Sequence, residues 1–223
     1  MSGIRIRWVA LAAAFAIATG GCSGSNEPEP QGIEATELCA GTLDAAAADA
    51  LGRLADTDRF TEESGNVYTN QPKQFSLRWA AAHLHDHKVR LGLCGIRKAK
   101  PSQTYWAIDL DFNAAPIVPT REVLASRYPV AKFGQQTFFP LGVTAYTQGH
   151  GFATLYFKCG TRGNDEATQY VKADSITQGH LGSDSTAKDR MTIVNSVARH
   201  LAEELGCASE ANLPGVTPDP ETT

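Results

Sequence analysis

Apolar residues recur at helical spacing near the two ends of the chain and at alternate positions between them. Near the start, Leu43, Ala47, Leu51 and Leu54 share one face of a helix over residues 42–56, with Thr42 as its cap and Asp44 in its first turn against the helix dipole. Near the end, Ser183, Asp184 and Ser185 precede a longer helix in which Thr186 and Asp189 have capping-box spacing. Its apolar stripe is Met191, Val194, Ala198, Leu201 and Leu205, while Arg190, Arg199, Glu203 and Glu204 fall mostly elsewhere on the wheel. Between these helices the period drops to two. Trp106, Ile108, Leu110 and Phe112 face one way and Tyr105, Ala107, Asp109 and Asp111 the other, the pattern of a half-buried strand. Residues 88–96, 141–147, 152–159 and 170–176 predict further strands, and residues 120–127 a short helix before Pro129. The expected fold is α+β: an antiparallel sheet covered by an N-terminal helix and a long C-terminal helix.

The strand region repeats a pattern. Cys94-Gly95-Ile96-Arg97 followed by Tyr105 and Asp109 aligns without a gap on Cys159-Gly160-Thr161-Arg162 followed by Tyr170 and Asp174, and His85 and His150 each lie nine residues before their cysteine. At a 65-residue period with two copies, this predicts a pseudo-symmetric sheet of two related hairpin units and not a solenoid.

The first residues carry a different signal. Arg5 and Arg7 precede an apolar run from Trp8 to Ala18, then Thr19-Gly20-Gly21-Cys22 and a polar stretch. Eleven apolar residues cover only about half of the ~30 Å hydrocarbon core, so a retained spanning helix is not expected. The arrangement reads as an export signal and resembles a bacterial lipoprotein signal peptide, which implies cleavage after Gly21 and a diacylglyceryl thioether on Cys22. The two acyl chains suffice for stable attachment to the extracytoplasmic face of the cell membrane. The alternative is ordinary secretion, because Thr19 stands where lipoboxes usually carry Leu, Val or Ile. Residues 22–36, rich in Pro, Glu, Ser and Gly, predict a flexible tether; residues 37–208 form one domain, internally duplicated if the repeat is real; residues 209–223, with three prolines, predict a frayed tail.

Removing residues 1–21 takes away two arginines and no acid, leaving 18 basic and 24 acidic side chains, net −6. A nucleic-acid partner is thereby disfavoured, since binding a polyanion needs a clustered basic surface. After Cys22, the cysteines Cys39, Cys94, Cys159 and Cys207 are an even set in an oxidising compartment and predict two disulfides. Four cysteines allow three connectivities. The repeat favours Cys94 with Cys159 on a pseudo-twofold axis, leaving Cys39 with Cys207.

Candidate chemistry is sparse. His83, His85 and His87 would project from one face of a strand and could then hold zinc or copper, but they precede a strand at a turn-like HDHK, and an exposed polar turn is the expectation. Asp109-Leu110-Asp111-Phe112-Asn113 opens like a calcium loop but has Ala114 at the sixth position and Thr120 at the twelfth, so these carboxylates are expected on a solvated strand face. They would serve as an acid/base pair only in a cleft that shifted one pKa. No GxSxG, HExxH or P-loop is present, and no catalytic residue or cofactor is assigned.

Leu38-Cys39-Ala40-Gly41 before an Ala-rich helix, Asp58-Arg59-Phe60 after it, Leu155-Tyr156-Phe157-Lys158-Cys159 and Ala198 through Leu205-Gly206-Cys207 resemble an uncharacterised family of actinobacterial secreted lipoproteins. The resemblance covers residues 38–207 and implies an address and a class without an activity. The expectation is a membrane-tethered binding or envelope-support module whose partner is an envelope protein or a small ligand; the alternatives are an enzyme of unrecognised type or a metal-binding protein.

Overall fold

The structure, a computed structural model, describes residues 32–63, 74–86, 93–99, 106–163, 166–178, 182–183 and 185–222. Cys22, His87, Tyr105, Asp184, residues 1–31 and the first part of the expected strand at 88–96 lie outside them.

The chain forms a seven-stranded antiparallel sheet with a helical layer on one face. Strands β1 (Phe60–Glu63), β2 (Cys94–Lys98), β3 (Ile108–Ala115), β4 (Gln136–Phe139), β5 (Thr144–Gln148), β6 (Phe152–Arg162) and β7 (Ala167–Ile176) stand in the order β1-β2-β3-β7-β6-β5-β4. Helices α1 (Ala45–Ala55) and α5 (Ala187–Glu204) pack on one another, and α5 lies across β5, β6 and β7. The α+β architecture with its N-terminal and long C-terminal helix agrees with the sequence pattern. The stripe of α5 is buried at Met191, Val194, Ala198 and Leu201, and Thr186 and Asp189 form the expected capping box. In the same core, β3 presents Ile108, Leu110 and Phe112, and β6 presents Leu155 and Phe157, all essentially inaccessible to solvent. Each such side chain contributes about 1.5–3 kcal/mol by leaving water.

Four expectations need correction. The cap of α1 is Asp44, whose carboxylate accepts from Ala47 N at 2.9 Å, because Thr42 already donates its hydroxyl to Cys39 O in the preceding turn. The body begins before residue 37: Ile33 exchanges both backbone hydrogen bonds with Phe60, at 2.9 and 3.0 Å. The segment from residue 209 is no frayed tail. After α6 (Ala208–Ala211) it is strapped back along α5, with Asn195 Nδ2 donating to Pro214 O, Lys188 paired with Asp219, Thr217 buried and Glu221 N donating to Phe138 O. Apart from Leu213, which packs on the core, polar and backbone partners hold this strap, so it carries no apolar periodicity for a sequence reading to find.

The fourth correction is the disulfide pairing. Cys39 bonds Cys94, and Cys159 bonds Cys207. The strand order does place hairpins β2–β3 and β6–β7 symmetrically about a β3/β7 seam, and Leu110 pairs there with Ser175, its counterpart at the 65-residue shift. Within the hairpins, however, Leu110 pairs with Cys94 while Ser175 pairs with Ala153, so Ala153 and not Cys159 is the counterpart of Cys94. Strands β2 and β6 are three inter-strand spacings apart, roughly 14 Å, beyond the ~7 Å Cα reach of a disulfide. Each cysteine bonds instead to the segment packed on its own side, the turn before α1 or the end of α5.

Candidate functional site: a roofed cleft on the second face of the sheet

The pleat that sends Ile108, Leu110 and Phe112 into the core sends Asp109, Asp111 and Asn113 to the opposite face. Register then aligns three rows of outward side chains across the sheet. The first runs Asp109, Ile176, Phe152 and Gln148. The second runs Asp111, Asp174, Thr154 and Tyr146, and the third Asn113, Lys172 and Tyr156.

This face is not open to water as the alternation of β3 suggests. The chain between β3 and β4 folds over it through α3 (Arg121–Arg127), capped by Thr120, and α4 (Val130–Phe133). Leu124, Tyr128 and Phe133 form the underside of this roof, with Leu124 buried among Tyr146 and Tyr156 and the Tyr128 and Phe133 rings edge to face at 5.5 Å. Two glutamines are its posts. Gln148 Nε2 donates to Tyr128 O at 3.2 Å and Gly134 O at 3.4 Å; Gln136 Nε2 donates to Leu124 O at 3.4 Å and Gln148 Oε1 at 3.3 Å. Where the roof returns to the sheet, Gly134 and Gly149 nest together: a Cβ on Gly134 would meet Gly149 Cα at 2.8 Å, and one on Gly149 would meet Phe133 O at 2.6 Å. Both have positive φ, so glycine is required twice over. From the helical layer, the buried Arg190 donates Nη2 to Gly149 O at 2.9 Å and fixes the same turn from below; the wheel had placed Arg190 off the apolar stripe.

Roof and sheet enclose a cavity of about 290 Å³ whose floor is polar and whose walls are mainly apolar and aromatic. Lys172 Nζ lies 2.5 Å from Asp174 Oδ2, and Thr154 Oγ1 donates to Asp174 Oδ1 at 2.8 Å. Burial pulls the Lys172 ammonium down, but the charge and hydrogen bond of Asp174 outweigh it and hold it above its usual value. Asp109 behaves differently. Burial, opposed only by the Leu110 backbone hydrogen bond, pushes its carboxyl up to about 6, and its Oδ1 is buried with no hydrogen-bond partner among the described residues. Burial also raises the phenols of Tyr146 and Tyr156. The arrangement can accept hydrogen bonds or positive charge at the floor, stack an apolar group on the walls, and hold or release one proton near neutrality.

Asp109 and Asp111 therefore lie not on a solvated face but on the floor of a cleft. The sequence carried a signal for it: Tyr146 and Tyr156 stand on the outward positions of their strands, and Leu124 and Tyr128 are spaced i, i+4. His83 and His85 bond to different elements, and His87 lies outside the described residues. His83 follows α2 (Leu77–Ala82), bonds Trp79 O through Nδ1 at 2.8 Å and stacks on the Trp79 ring, whereas His85 Nε2 lies 3.0 Å from Thr161 Oγ1 on β6. The cysteines with Glu62 form the one group among the described residues close enough to share a metal ion, yet Cys39 and Cys94 are oxidised and Glu62 accepts from Cys39 N and Phe75 N. No thiolate remains there to bind metal.

Fold and cleft define an α+β protein with a two-sided antiparallel sheet, one face closed by helices and the other roofed over a cavity. No family model, curated protein or solved structure matches the chain. The family resemblance thus rests on its sequence motifs alone.

Proposed function

We propose that this protein is an exported module of the cell envelope, anchored through lipid on Cys22, that binds a small molecule in the roofed cleft without transforming it. The cleft carries this reading: it is a concave, largely apolar cavity into which a few polar groups converge, and it is held in shape by hydrogen bonds from the sheet and from α5. The anchoring rests on the sequence of residues 5–22, and no helix among the described residues is long and apolar enough to cross a membrane. A thermal-shift screen of small metabolites tests the binding, run beside Ile176→Trp, which fills the floor between Asp109 and Phe152. Compounds that stabilise the protein are expected to lose their effect in the filled variant; a screen without stabilisers, or stabilisers indifferent to the substitution, refutes the reading.

One observation favours a second reading. A carboxyl that burial pushes up to about 6 on the floor of a cleft resembles a general acid or base. Conversion of a bound compound, followed by mass spectrometry and lost in Asp109→Asn, would decide for catalysis.

A further inference from the structure

We infer that the ligand of this cleft is a neutral polyhydroxylated molecule, a sugar whose adjacent hydroxyls meet the Lys172–Asp174 pair while a C–H face lies against the rings of the roof; the inference rests on the cleft being a small-molecule site. The charges of the floor are already answered within the protein. Lys172 and Asp174 neutralise one another, and the second oxygen of Asp174 receives the Thr154 hydroxyl. Asp111 is engaged, with Oδ1 accepting from Phe112 N, and Oδ1 of Asp109 is buried from the cavity as well as from solvent. Arg127 is exposed in the last turn of α3, where its charge complements the helix dipole. A charged ligand would have to compete with partners that the protein supplies, whereas a neutral one leaves the Lys172–Asp174 pair intact.

What the floor keeps is hydrogen-bonding capacity of both senses in one place. An ammonium carries three donors, and Asp174 is the side chain that takes one from Lys172. The two Asp174 oxygens each accept once from the protein and retain lone pairs. Tyr156 stands opposite Lys172 in the register of β6 and β7. Its phenol makes no hydrogen bond to another described residue, and burial pushes it up to about 12, so it stays a donor. A vicinal diol answers this arrangement. One hydroxyl oxygen accepts from Lys172 while its neighbour donates to Asp174, and both bonds are charge-assisted. A third hydroxyl can accept from Tyr156.

The roof supplies the other half of the match. Tyr128 and Phe133, with the partly exposed Phe152 from β6, present ring surface, which suits C–H groups that have no hydrogen bonds to lose. Sheet and roof thus sort a ligand into a polar edge and an apolar face, and a pyranose ring is divided in the same way. The cavity of about 290 Å³ takes a molecule of that size and no folded partner.

Isothermal titration calorimetry with glucose, galactose, mannose and N-acetylglucosamine tests this, with choline, benzoate and uracil as cationic, anionic and hydroxyl-free neutral probes. At least one sugar is expected to bind 1:1, with an affinity that hardly changes between about 0.05 and 0.5 M salt, since no net charge is matched. Tyr156→Phe should weaken that binding about fivefold, through the loss of one neutral hydrogen bond. Lys172→Gln with Asp174→Asn keeps the net charge and side chains of similar size, and should weaken it about tenfold by removing the charge from two bonds. Either variant supplies the test should the other fold poorly. Failure of all four sugars to bind, or a sugar affinity unchanged by both variants or by Ile176→Trp, overturns the inference. Binding of choline, benzoate or uracil in place of the sugars, lost in Ile176→Trp, also overturns it, while leaving the small-molecule reading standing.

Discussion

Arg121 holds Glu221 with its Nη2 2.7 Å from both carboxylate oxygens, joining the first residue of the roof helix to the strap that runs back along α5. The same guanidinium lies 4.4 Å over the Phe138 ring, and Phe138 O accepts from Glu221 N. Roof, strap and edge strand β4 thus close a ring at one end of the cleft.

Removing residues 214–223 should destabilise the protein by about 1–3 kcal/mol, because the buried Asn195 amide loses Pro214 O and Thr217 as partners. Glu221→Ala alone should cost less than about 1 kcal/mol, since the ion pair is largely exposed. Urea unfolding monitored by tryptophan fluorescence distinguishes these outcomes; equal midpoints for the truncated and full chains would show that the strap adds nothing.

Asp109→Asn should raise stability at pH 8 and not at pH 4. The folded-state pKa is lifted from the ordinary carboxylate value to about 6. The folded protein therefore holds a proton that the unfolded chain loses above pH ~4, and stability falls as pH rises through 6. Asparagine removes that penalty, a gain of roughly 1–3 kcal/mol at pH 8 that fades on acidification. Parallel unfolding curves across pH would contradict the assignment of a buried, titrating Asp109.

Peptide mapping without reductant should recover Cys39 linked to Cys94 and Cys159 linked to Cys207. The sequence separations are 55 and 48, so chain entropy puts each bridge at about 4 kcal/mol, less any strain. Cys159→Ser with Cys207→Ser and Cys39→Ser with Cys94→Ser should lower the unfolding midpoint by similar amounts. A marked inequality would mean that local packing outweighs loop length.

Metabolic labelling with an alkyne fatty acid should tag the protein, and Cys22→Ala should remove the tag. A wild-type protein released unlabelled into the medium would favour simple secretion instead.

Particular residues show how far the sequence could be read. The alternation of β3 correctly sends Ile108 and Leu110 inward, because a period of two follows from the pleat alone. It says nothing about what covers the other face, so the pattern alone leaves Asp109 and Asp111 on a solvated face. That roof is held by side-chain amides reaching backbone carbonyls, Gln148 to Tyr128 O among them, and such bonds leave no periodic trace. The cysteine alignment misled for a related reason: matching Cys94 to Cys159 fixes distance along the chain, whereas pairing of Ser175 with Ala153 fixes position in the sheet.

The proposed N-terminal attachment would have a mechanical consequence. Tension entering the chain ahead of Ile33 would pass first to its two hydrogen bonds with Phe60 on edge strand β1, and six residues later to the covalent bridge between Cys39 and Cys94. That bridge transfers the load to β2, while the posts of the roof stand on β4 and β5 at the opposite margin of the sheet. A pull from the membrane side would therefore meet a covalent stop on β2 and reach β3 and the cleft floor before the posts of the roof.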